Sequence, residues 1–240
     1  MKYRSRQIER RMGAFTLVEL FVVMSVIAVL TVFTLSAVRD VKKARAIKLA
    51  QTELTQVQSA IDTYRQDRGY YPPDNPGNPA LNQLFFELKG SCLTNVNNQP
   101  AYVTLDGSGQ INVSDLALVF GPAVKGFMNL PRVGRKSDED STAVAYLRPN
   151  PGQSGRLVIN GQPGEAILVC SVRWTDDPNL QIITTRPASN PHAAEAGLNP
   201  WQYNSSHPQR NPNSYDLWVD VYFNGKTNRI SNWVSQPQVL

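Results

Sequence analysis

Residues Phe15 to Val38 read FTLVELFVVMSVIAVLTVFTLSAV, and Glu19 is their one charge. A helix rises ~1.5 Å per residue, so this run predicts a rod of ~36 Å, against ~30 Å for the hydrocarbon core of a bilayer. The reading is therefore a transmembrane helix. It is too long for the core of an ordinary secretory signal, which is about 7–15 residues. A secretory signal also puts its small residues after the apolar core, whereas Gly13-Ala14 stands before it. A cut there would leave the apolar helix on the mature chain.

Charge points the same way. The 240 residues carry a formal +5, with Lys2, Arg4, Arg6, Arg10 and Arg11 against Glu9 in residues 1–14. The rest of the chain is close to neutral. The basic excess belongs to a leader that holds its end in the cytoplasm, not to a nucleic-acid surface. Glu19 is costly so far inside an apolar helix, by ~2.5–3.5 kcal/mol at mid-span and less near an interface. Either it reaches water at the interface or it awaits a positive partner, such as an α-amine freed by cleavage on a neighbouring subunit.

Gly13-Ala14-Phe15-Thr16-Leu17-Val18-Glu19-Leu20 resembles the processing signal of type IV pilins and type II secretion pseudopilins. That pattern is a basic leader, a small residue and Phe-Thr-Leu-(Ile/Val)-Glu opening an apolar helix. The family has Gly directly before the mature Phe. Here Ala14 holds that place and Gly13 precedes it. Cleavage after Ala14 puts Glu19 fifth in the mature chain, which is the family register. The resemblance implies cleavage between Ala14 and Phe15, methylation of the new Phe15 amine, and an assembly role for Glu19.

Past Val38, Ala44, Ile47, Ala50, Leu54, Val57, Ile61 and Tyr64 recur at helical spacing and predict one amphipathic stripe. Arg39, Lys42, Lys43, Arg45 and Lys48 read as a solvated or lipid-headgroup face. Span and stripe together predict one helix of roughly 50 residues. It stops at Asp67-Arg68-Gly69, with Gly as cap and Pro72-Pro73 beyond. The segment Tyr64 to Pro72 resembles the end of the long helix in major pseudopilins. Ala80–Lys89 predicts a short helix. Residues 90–165 look like an irregular insertion, with strands at Ala101–Leu105 and Leu157–Ile159, a helix near Val113–Phe120 and a charged loop at Arg135–Asp140. Ala166–Trp174, Tyr215–Phe223 and Arg229–Val234 have strand composition, and Asn224-Gly225 marks a hairpin. Ile230-Ser231-Asn232-Trp233 resembles the closing Ile-x-Asn-Trp of the pseudopilins, and Asn199 to Tyr203 is similar to their Trp-Gly-x-Pro-Tyr segment.

Catalytic and metal chemistry find little footing. His192 and His207 lie in loops without ligand spacing, and no nucleophile motif or phosphate-binding loop is present. The loop corresponding to the family's calcium site, Asn224 to Arg229, has no carboxylate, so no calcium is expected. Asp216 and Asp220 alternate along a strand and are read as solvent-facing. Cys92 and Cys170 allow either one disulfide or two separate buried thiols. Trp174, Trp201, Trp218 and Trp233 are read as packing residues.

The expected fold is α+β and pilin-like: a long N-terminal helix, transmembrane in its lower half, on a small antiparallel sheet with an irregular insertion. The expected organisation is a cleaved cytoplasmic leader at 1–14, a transmembrane half at 15–38, an amphipathic half at 39–68 and a globular head at 69–240. No enzyme activity and no cofactor is expected. The resemblance implies a filament subunit in a bacterial envelope, most closely a pseudopilin driving protein export. It would sit in the inner membrane with its head outside the cytoplasm. Its partners would be copies of itself, other pseudopilins, a prepilin peptidase and an inner-membrane assembly platform. The alternatives are a type IV pilus subunit or a plain single-pass anchored binding protein.

Overall fold

A computed structural model describes residues 16–131, 142–159, 162–174, 198–223 and 225–240. The side chains at 32–37, 39 and 157–166 stand outside that description. The chain divides into two compact units, 1–44 and 45–240, each described by itself. Helix α1 (Leu17–Arg68) contributes to both.

In the first unit α1 opens at Thr16. Its apolar side chains are exposed on every face: Leu17 is 83% exposed, and Val18, Leu20, Phe21, Met24, Ile27 and Leu30 are exposed with it.

In the second unit Ala50, Leu54, Val57, Ile61 and Tyr64 are buried. Their spacing of three and four residues puts them on one face of α1. The helix ends where Gly69 takes φ +83° and donates its N–H to Arg65 O at 2.8 Å. A residue with a Cβ rarely adopts that conformation, so the chain turns there. Arg65 then lies against Tyr71, its guanidinium 4.3 Å from the ring centroid. Tyr71 packs edge-on against Tyr215, so the aromatics after the helix tie its end to the sheet.

Among the described residues three antiparallel sheets follow. The first is β1 (Ser91–Val96), β2 (Gln99–Thr104) and β3 (Gln110–Asn112). Its β1–β2 turn is Asn97-Asn98, at φ 51° and 62°. Two positive φ values make the turn whose twist suits a two-residue hairpin, and Asn tolerates them. The second is the pair β4 (Ser154–Ile159) and β5 (Gln162–Leu168). The third has the order β6 (Gln202–Asn204), β7 (Asp216–Phe223), β8 (Lys226–Ser231) and β9 (Val234–Val239). On β7, Leu217, Val219 and Val221 have no exposed surface. They share one core with the α1 stripe and with Leu84, Phe85, Phe86 and Leu88 of helix α2 (Leu84–Lys89). A short 3-10 turn and helix α3 (Leu116–Phe120) close that core with Leu116, Val119 and Phe120.

These findings correct the expected fold class. Among the described residues no helix is long and apolar enough to cross a membrane. The apolar stretch with described side chains, Leu17 to Thr31, is about 22 Å of helix, short of the ~30 Å hydrocarbon core. The apolar side chains of this stretch are exposed. The expected single small sheet is replaced by three. Within the expected irregular insertion, the strands expected at Ala101–Leu105 and Leu157–Ile159 fall on β2 and β4 and the helix expected near Val113–Phe120 is the 3-10 turn with α3, while β1, β3 and the 162–165 part of β5 were not expected and the charged loop Arg135–Asp140 lies outside the described residues. The strand expected at Ala166–Trp174 is instead β5, which ends at Leu168, followed by the single bridge Val169–Pro200. The strand expected at Arg229–Val234 breaks at Asn232-Trp233, which become the turn into β9.

Candidate assembly site

Gly13, Ala14 and Phe15, the expected processing residues, lie outside the described residues. The described site begins at Thr16. Thr16 Oγ1 accepts from the Glu19 N–H at 3.3 Å, and Glu19 Oε2 accepts from the Thr16 N–H at 2.8 Å. The Thr16 hydroxyl also donates to Oε2 at 2.8 Å. This is a capping box: the first helical amides have no partner within the helix, and two of them are satisfied reciprocally by side chains. Its signature, Thr16-Leu17-Val18-Glu19, is plain in the sequence. The sequence reading gave Glu19 only an interfacial or intersubunit role and missed this local one.

Glu19 therefore fixes where α1 starts, and its carboxylate sits at the positive end of the helix dipole. The side chains around it are apolar and exposed from Val18 to Leu30. Ser25 and Thr31 turn their hydroxyls back to Val22 O at 2.7 Å and Ile27 O at 2.7 Å, so they add little free polarity to that surface. What the stretch presents outward is one carboxylate followed by hydrocarbon.

The head's carboxylates do structural work. Glu87 has no exposed surface. Its Oε1 accepts from the Met128 N–H at 2.6 Å, and its Oε2 from the Tyr64 hydroxyl at 3.0 Å and the Asn129 N–H at 2.9 Å. Burial raises its pKa and those donors lower it, with the net upward. Asp216 and Asp220 are 3% and 5% exposed, which corrects the solvent-facing reading. Asp216 accepts the backbone N–H groups of Gln209, Arg210 and Asn211 at 2.6–3.2 Å and so shapes the loop before β7. Asp220 takes a two-point bond from Arg229 at 2.8 and 2.9 Å, directly across the β7–β8 register. Glu53 of α1 is 4% exposed and accepts from the Ser171 N–H at 3.0 Å and from its hydroxyl.

Cys92 and Cys170 are both free. Cys170 is buried, and burial pushes its thiol pKa up. Trp201 and Trp174 are buried, whereas Trp218 and Trp233 are part-exposed and meet edge to face at 5.8 Å. His192 lies outside the described residues, as does Asn224 of the expected hairpin turn. Among the described residues no group of three His, Cys, Asp or Glu is placed to hold a metal ion.

No protein-family model, no curated protein and no solved structure matches this chain.

Proposed function

We propose that this chain is a structural subunit of a bacterial envelope filament, closest in kind to a type II secretion pseudopilin. In this reading a prepilin peptidase trims it after Ala14 at the inner membrane, and an assembly platform polymerises it through its N-terminal helix to drive export. The head faces away from the cytoplasm. The role is assembly and not catalysis.

One observation carries the proposal: from Leu20 to Leu30, Ser25 apart, α1 is apolar, and its large apolar side chains stay exposed. A contiguous apolar patch of this size marks an interaction surface. A helix apolar all round packs against other helices or lipid. The residues just before it resemble a prepilin processing signal, and Glu19 closes its first turn. The proposal uses no membrane-crossing helix.

Glu19 then has two successive partners. In the monomer it holds the Thr16 amide. In the filament it turns to the Phe15 amine of a neighbour, where an unpaired charge among apolar helices would be very costly. Co-expression with the matching peptidase and platform, followed by shearing and electron microscopy, tests this. Wild type gives filaments, and Glu19→Ala gives stable, processed monomer without them. Filaments of normal yield from Glu19→Ala would refute the assembly role.

A further inference from the structure

The first sheet of the second unit has a free edge at β1. The two-residue turn Asn97-Asn98 joins β1 to β2 and closes on the pair Val96–Gln99. Such a turn closes on a hydrogen-bonded pair, and bonded and non-bonded pairs then alternate down the ladder. Val96, Thr94 and Cys92 therefore bond inward to β2, while Asn95, Leu93 and Ser91 turn their N–H and C=O groups outward. Ser91 shows the direction, since its N–H leaves the sheet for Asn129 O at 3.0 Å. The outward groups of Leu93 and Asn95 have no partner among the described residues. Both residues are exposed, Leu93 at 56%. We propose that this edge is a contact between two copies of the chain, in which β1 pairs antiparallel with β1 of a second copy about a two-fold axis at Thr94. The inference stands on this edge alone and does not depend on the filament reading.

The contrast with the other edges selects the occupant. Edge strands are ordinarily kept from pairing with copies of their own chain by shortness, by charge or by proline. Strands β3 and β6 are three residues long. Strand β4 carries Arg156 and β5 carries Pro163. Strand β9 carries Pro237, and its Ser235 carbonyl accepts from Gln51 Nε2 at 3.2 Å. Strand β1 reads Ser-Cys-Leu-Thr-Asn-Val, six residues with no charge and no proline. The one edge without these guards is the edge at which a copy is accepted. Its neutrality fits the same occupant: two copies meet there without repulsion, and nothing on the strand selects a partner of either sign.

The outward groups also fix the register. With the axis at Thr94, Leu93 faces the partner's Asn95 and Asn95 faces the partner's Leu93, and each is a hydrogen-bonded pair. The same patch serves both copies, as a two-fold contact requires. Thr94, which bonds inward, meets the partner's Thr94 as a non-bonded pair, where Cα atoms approach to about 4.5 Å and two threonines pack well. The exposed Leu93 side chain gains cover from the incoming strand.

The experiment is cysteine trapping on the full-length chain in detergent, in a Cys92→Ser background under mild oxidation. Thr94→Cys places two thiols across the axis at about 4.5 Å between Cα atoms, within disulfide range. Gln99→Cys, also exposed, places them about 20 Å apart. Thr94→Cys should give a covalent dimer and Gln99→Cys none, whereas association through α1 alone would trap both sites alike. Charge variants test the register. Leu93→Lys with Asn95→Lys sets like charges opposite each other across the axis, and the Thr94→Cys dimer should be lost. Leu93→Lys with Asn95→Asp sets opposite charges there, and the dimer should remain. No dimer from Thr94→Cys overturns the proposal. So does an equal yield from Gln99→Cys, a dimer that the two lysines leave intact, or loss of the dimer with both charge pairs. A Thr94→Cys product with an added β-prone, cysteine-bearing peptide, formed in place of the homodimer, overturns it as well.

Discussion

At the scale of single residues, this chain spends its buried carboxylates on holding backbone. Glu87 is the clearest case, since it accepts two loop amides and the Tyr64 hydroxyl from α1. Glu87→Gln keeps one acceptor and turns an NH₂ group towards donors. It should lower stability by ~1–3 kcal/mol, the cost of leaving a buried donor unpaired, as measured by urea unfolding. Because the folded pKa is raised, wild type holds its full contribution from this group below the unfolded value of about 4.3 and loses it as pH rises through the folded value. The stability gap between wild type and Glu87→Gln should therefore be widest in acid and narrow with rising pH. A gap that stays flat or widens would contradict the assignment. None of this was legible in the sequence. Glu87 sits in ALNQLFFELK, where a polar residue on a short helix reads as solvent-facing. Only the fold shows that the 127–129 loop closes over it.

At the scale of elements, legibility followed punctuation. Gly69 and Gly225 both have positive φ, and both mark boundaries where the sequence placed them. Strand β9 was not legible, because Ser-Gln-Pro-Gln lacks strand composition. What specifies it is Asn232, whose Oδ1 accepts the Leu217 N–H at 3.0 Å while its Nδ2 donates to Tyr215 O at 2.9 Å. Its own N–H donates to Leu217 O at 3.0 Å. The side chain thus extends the ladder of β7 and forces the chain to turn, which gives physical content to the Ile230-x-Asn232-Trp233 pattern. Asn232→Ala should strip two part-buried bonds and cost about 1–2 kcal/mol. Amide hydrogen exchange would show the loss as faster exchange at Leu217. Unchanged exchange there would mean that the turn is held by other contacts. The Asn97-Asn98 hairpin was equally available in the sequence, since paired Asn is a turn signal. It went unread because Pro100 and a run of polar residues obscured the strands on either side.

At the scale of the whole molecule, the two units place apolar residues in opposite ways. The head buries its apolar residues in one core, and Ile61 of α1 has no exposed surface within it. Ile61→Ala should destabilise the head by ~2–5 kcal/mol, read as a lowered urea midpoint. The N-terminal stretch does the reverse and displays hydrocarbon from Leu17 to Leu30. Apolar periodicity described the head well, because the stripe from Ala50 to Tyr64 is one face of the shared core. It described the N-terminal stretch less well, because an apolar run does not say what covers it. The filament reading supplies that cover, and it stands or falls with the trimming of the leader. The most direct measurement is the N-terminal sequence and intact mass of the chain expressed with and without a prepilin peptidase. The account predicts loss of residues 1–14 only with the peptidase, leaving Phe15 first, one methyl group heavier, and Glu19 fifth. An uncut chain, in a host whose peptidase trims a control pilin, would contradict it.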